Sequence, residues 1–197
     1  MANVKPFKAL RFTQKAGDIS QLVCPPYDII SEEERLSYLA TNENNIIRLE
    51  LPRETDDFYK AAENTLQKMM ADGILKNDEE DAVYVYEIEF TVNGERNKIR
   101  GIITRVELAE FSKGIVLPHE ETLSKAKQDR FNLMNATLCN FSQIYSLYSD
   151  EKRVTDTMVN NAVETIPFCR CADVLLRRDH QHDLPERPCR FGRHAGG

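Results

Sequence analysis

The strongest constraint on how this chain folds is the pair Asn93-Gly94, set between two runs of alternating apolar and polar residues within Val83 to Val106. A two-residue type I′ turn needs a positive φ at both central positions, and Asn-Gly is its preferred pair. The turn sets the register. With Val92 opposite Glu95, Ile88 meets Ile99 and Tyr84 meets Ile103 on one face, while Glu89 meets Lys98 and Glu87 meets Arg100 on the other. A slip of one residue would lose both charge matches and mix the faces, so a long antiparallel hairpin is predicted.

Shorter elements flank it. Lys8 to Phe12 reads as a strand, and so do Ile46 to Glu50 and Ile144 to Tyr148. Ser31 and Glu34 form a capping box ahead of a helix with Leu36 and Leu39 as a narrow apolar stripe. Asp56 or Asp57 caps a longer helix in which Phe58, Ala62, Leu66, Met69 and Met70 recur at helical spacing until Gly73 stops it. A third helix, Leu123 to Leu138, is capped by Thr122, and Leu123, Ala126, Phe131, Met134 and Leu138 are available for its buried side. Glu151 to Thr165 is a last helix with Val154, Met158 and Val163 inward. Strands alternating with helices around one long hairpin predict an α/β fold of mixed α+β layering.

The 197 residues, 41% hydrophobic and 29% charged, suit one ordinary domain. No run reaches the roughly 18 to 20 apolar residues that cross a bilayer, and Met1 to Pro6 lacks the apolar stretch of a secretory signal. A cytoplasmic protein with no membrane partner is expected. The formal charge of −6 and pI near 5.3 argue against a nucleic-acid partner, since phosphates reward clustered Lys and Arg. Cys24 and Cys139 read as reduced thiols.

From Ile166 onward the composition changes: all six basic residues are Arg, and three of the five Cys and three of the four His gather there. Cys169-x-Cys171 and His180-x-His182 depart from the spacing of structural zinc sites, so no metal site is assigned. The expectation is a domain portion at 1–165 and an aberrant tail at 166–197 that does not fold with it, as a shifted reading frame would leave.

Chemistry is concentrated in two blocks. In Leu117-Pro118-His119-Glu120-Glu121-Thr122 an apolar run gives way to titratable groups just before a helix, where His119 and Glu120 can move a proton or bind a metal. The same residues also describe an ordinary helix start, because carboxylates favour the positive end of the helix dipole. Further along, Lys125, Lys127, Asp129 and Arg130 fall within two turns. Arg130 can clamp a phosphate or carboxylate with Asp129 orienting it or holding magnesium; the bland alternative is a solvated charged face. Pro25-Pro26 holds Tyr27 and Asp28 on a rigid loop, and Asn44, Asn45 and Arg48 either bind an anion or satisfy loop backbone.

Pro25 to Ser31, Asn45 to Pro52, Tyr84-x-Tyr86, Pro118 to Thr122 and Asp129-Arg130, in that order and spacing, resemble the domain-of-unknown-function 1015 family from about Phe7 to Asp150. Bacterial members include ATP-dependent kinases of free L-serine that make O-phospho-L-serine. The resemblance therefore implies a small-molecule phosphotransferase with ATP and Mg2+ as cofactors and L-serine as substrate. On that reading Glu120 or His119 lies near the proton, Asp129 orients or holds metal, and Arg130 or Lys127 meets phosphate, with Tyr27, Asp28 and Arg48 as further binding groups. Full members also carry a later block similar to Asp-Gly-His-His-Arg, which this chain lacks. The expectation is a truncated domain with an incomplete site and a dimer through the exposed truncation surface. The rival reading is a non-catalytic nucleotide- or partner-binding module.

Overall fold

A computed structural model describes residues 2–118 and 123–165. Among them, five α-helices and three two-stranded antiparallel sheets form an α+β arrangement. The chain divides into two units. Among the described residues, one comprises 2–82 and Arg105–Gln143, and the other Val83–Thr104 and 144–165.

In the first unit β1 (Val4–Lys5) pairs with β6 (Arg105–Val106), and β2 (Leu10–Phe12) with β3 (Leu75–Asn77). α1 (Glu32–Thr41) begins with the predicted capping box: Glu34 N–H donates to Ser31 Oγ at 3.3 Å, and Ser31 N–H donates to the Glu34 carboxylate at 2.8 Å. Its inward face corrects the predicted Leu36 and Leu39 stripe. Leu36 is exposed while Leu39 is half-buried, and the buried residue is Arg35, which bonds Glu32 and Glu54 and reaches the Leu51 carbonyl. With its donors satisfied, the Arg35 stem can cover apolar surface in place of a leucine.

Residues 46 to 50 are not the predicted strand. They turn into the short α2 (Ile47–Glu50), in which the Ile46 carbonyl accepts from Leu49 N–H at 2.9 Å and Glu50 N–H at 3.0 Å. The β-branched pair Ile46-Ile47 favours a strand only weakly. Asn45 outweighs it by accepting Ile47 N–H on its side-chain oxygen at 2.9 Å, and the turn that follows buries Ile47 and Leu49 completely.

α3 (Phe58–Ala71) starts at Asp57, whose carboxylate accepts Lys60 N–H at 3.1 Å, and runs out before Gly73, which takes φ +69°. Thr13 ties that end down through the Gly73 and Ile74 carbonyls. Leu66 and Met69 of α3 join Leu49 and Leu75 in the buried core, with Phe12, Cys139 and Phe141 packed against them. Phe58 and Met70 of the predicted face stay partly exposed.

α4 (Ser124–Thr137) has Leu123 at its N-cap with no side-chain cap, and the predicted cap, Thr122, lies outside the described residues. Its buried residues are Leu133 and Thr137, whereas Leu123, Phe131, Met134 and Leu138 are exposed. Of the predicted inward residues only Ala126 is half-buried, and α4, which packs on α3, bonds it through Asp129 and the Tyr59 hydroxyl.

The second unit is the hairpin and its cover. β4 (Tyr84–Val92) and β5 (Glu95–Ile103) pair in the predicted register throughout, with Asn93 and Gly94 at φ +52° and +81°. Glu87 accepts from Lys98 at 3.0 Å and from Arg100 at 2.7 Å, and Lys98 also pairs with Glu89 at 2.6 Å. α5 (Val154–Thr165) packs on both strands and buries Val159, leaving the predicted Val154 and Met158 exposed. The predicted strand Ile144 to Tyr148 does not form, and among the described residues β4 and β5 pair only with each other. No helix among the described residues is long and apolar enough to cross a membrane.

Candidate functional site

The first unit brings three distant stretches to one guanidinium. Asn45, fully buried, donates from its amide to the carbonyls of Gln21 at 2.8 Å and Val23 at 3.1 Å, and Ile46 N–H donates to the Leu22 carbonyl at 2.7 Å. These bonds clamp the segment that enters Pro25-Pro26, where two fixed φ angles aim the next residue. The Tyr27 ring lies against Arg130, whose guanidinium carbon is 3.9 Å from the ring centroid, within cation–π distance.

Carboxylates hold the same guanidinium on its edges. Glu50, at the end of α2, accepts Arg130 Nη1 on Oε2 at 2.9 Å, and its backbone carbonyl accepts Nη2 at 3.1 Å. Asp129 accepts Arg130 Nε at 2.9 Å and Nη2 at 2.5 Å on Oδ2, while its Oδ1 accepts the Tyr59 hydroxyl at 3.1 Å. Ser142 donates its hydroxyl to Glu50 Oε1 at 2.7 Å. All three guanidinium nitrogens are thus engaged by oxygen, in the fork geometry that carboxylate and phosphate share.

Beside the cluster lies a cavity of about 20 Å³, lined by Glu50, Arg130, Asn140, Ser142 and the apolar edges of Leu133 and Phe141. Burial, and then the Glu50 charge, push the Cys24 thiol up to about 12, and burial alone raises Cys139. Both are free and un-ionised near neutrality.

Tyr27, Glu50 and Asp129-Arg130 come from the stretches 25–31, 45–52 and 129–130, which carry the family resemblance. The family described as "Protein of unknown function (DUF1015)" matches residues 4–182. The chain belongs to the DUF1015 family. Its family match continues past the change of composition at Ile166. No curated protein and no solved structure matches this DUF1015 chain.

Of the predicted site residues of this DUF1015 protein, Tyr27, Asp129 and Arg130 meet. Asp28 and Lys127 are exposed. Arg48 serves the backbone, donating to the Glu43 carbonyl at 2.9 Å and the Leu39 carbonyl at 3.1 Å, and Asn45 does the same. His119 and Glu120 lie outside the described residues, as does the tail from Ile166 onward. Among the described residues no group of three or more His, Cys, Asp or Glu is arranged to hold a metal ion. Sequence reasoning missed Glu50, Tyr59 and Ser142. Only Glu50 left a trace, as a member of the 45–52 block.

Proposed function

We propose that this DUF1015 chain carries part of a small-molecule phosphotransferase site, for ATP- and Mg2+-dependent phosphorylation of free L-serine to O-phospho-L-serine. The observation that supports it is the convergence of Tyr27, Glu50, Asp129 and Arg130, from three blocks far apart in the chain, on one cation. Arg130 is the phosphate-facing group, with Asp129 as its orienting partner and Lys127 as a second cation on the same helix. His119 or Glu120, just ahead of that helix, receives the proton. Catalysis of this type comes from placement and charge stabilisation more than from covalent chemistry.

A cavity of about 20 Å³ holds roughly one water and does not enclose a nucleotide. Glu50, which lines it, and Asp129 are both already engaged by Arg130. The described residues therefore support the side of the reaction that receives the phosphoryl group, and not the nucleotide or its metal. The same full internal pairing of Arg130 favours a second reading, a non-catalytic nucleotide- or partner-binding module.

Mass-spectrometric detection of O-phosphoserine after incubating the full chain with ATP, magnesium and L-serine separates the two. Product that falls at least about tenfold in R130K supports the kinase, because lysine cannot reproduce the two-pronged contact. ATP binding without product favours the binding module, and product insensitive to R130K and D129N removes the cluster from the site.

A further inference from the structure

Glu50 is the most enclosed charge of the cluster: its side chain is 8% exposed, against 24% for Arg130 and 42% for Asp129. Its two oxygens have different partners. Oε2 is held by Arg130, which also grips the Glu50 backbone carbonyl and so fixes the residue from two sides. Among the described residues, Oε1 has a single hydrogen-bond donor, the Ser142 hydroxyl at 2.7 Å. Glu50 and Ser142 both line the cavity of about 20 Å³, together with Asn140. A space of that size takes one water or one hydroxyl terminus, and a carboxylate oxygen at its wall demands a donor.

We infer that Glu50 Oε1 and the adjoining cavity form a subsite for the primary hydroxyl of a small alcohol, and that the Ser142 hydroxyl is the donor which that alcohol displaces. The inference rests on the phosphotransferase reading for the identity of the alcohol, L-serine, and on geometry alone for the subsite. The incoming hydroxyl donates to Oε1 in place of Ser142, whose half-buried side chain then turns away, so that in this arrangement Glu50, in place of His119 or Glu120, faces the hydroxyl proton. Arg130 need not move for this exchange, because it holds the opposite oxygen. A ligand without the hydroxyl leaves Oε1 without its donor and is rejected, as sites built around a hydroxyl reject analogues that lack it.

The test is calorimetric titration of the full chain with L-serine, L-alanine and O-methyl-L-serine, on the wild type, S142A and E50Q, with thermal melts beside each. The expected result is serine binding at least about tenfold tighter than either analogue, the value of one hydrogen bond to a charged group. S142A removes the competing hydroxyl and tightens serine severalfold, while E50Q narrows the preference for serine over alanine. Should E50Q fail to fold, S142A still decides, since it leaves Glu50 and Arg130 intact. Serine bound no better than alanine, no serine binding, or serine binding unchanged or weakened in S142A overturns the subsite. Assaying O-phosphoserine on the same samples separates the two ideas: hydroxyl-selective binding without product sinks the kinase and leaves the subsite, and product with no such selectivity does the reverse.

Discussion

Removing the guanidinium of Arg130 would strand the Glu50 carboxylate, which is buried and has, among the described residues, only the Ser142 hydroxyl as its other side-chain partner. R130A is therefore expected to cost about 3 kcal/mol, because an uncompensated buried charge costs more than the pair contributes; urea unfolding against the wild type measures it. Cys24 makes a second expectation at this scale. A thiol held at about 12 by burial and the Glu50 charge is almost wholly protonated at pH 8.5. Iodoacetamide should modify native Cys24 far more slowly than the unfolded chain, and peptide mapping of the time course would show it. Among the site residues, Tyr27, Asp129 and Arg130 were legible in the chain because rigid prolines and clustered charge are local signals. Glu50 and Ser142 were not, because a glutamate after a β-branched run and a serine in an Asn-Phe-Ser-Gln stretch acquire a role only when they meet.

The hairpin is the element whose sequence and structure agree most closely, and its tests are correspondingly sharp. Gly94 sits at φ +81°, so G94A should destabilise by about 1 kcal/mol through backbone strain alone. Gly101 lies under the Tyr86 ring, and a Cβ there would stand 2.4 Å from Tyr86 Cε1, so G101A should cost more than G94A in the same chemical melt. Glu87 sets a pH dependence. Burial pushes its carboxyl up, but the bonds from Lys98 and Arg100 outweigh burial and hold it below its ordinary value of 4.5. A lowered folded value means stability that is fully present above the unfolded value and lost as pH falls through the folded one. Urea midpoints should fall below about pH 4.5 in the wild type, and E87Q should flatten that part of the decline. The elements read wrongly, 46–50 and 144–148, share one property: each is a short apolar run whose state depends on a partner. Asn45 gave the first a helical turn, and among the described residues the second joins no sheet.

At the scale of the whole chain, large apolar side chains remain on the surface, among them Leu108 at 98% exposure and Leu138 and Leu147 at 87%. Sedimentation velocity across a concentration series should show reversible self-association, and a single monomeric species at all concentrations would contradict this. Caps, the Asn-Gly turn and the register of nine facing pairs could be read directly from the chain, since each rests on bonds spanning a few residues or on a turn that propagates its own alignment. The buried sides of α1 and α4, the helical turn at 47–50 and the meeting of Tyr27, Glu50, Asp129 and Ser142 around Arg130 came only with packing. Periodicity says that a helix has faces but not which one a neighbour covers, and a buried ion pair can take the place of an apolar stripe once its partners arrive from elsewhere in the chain.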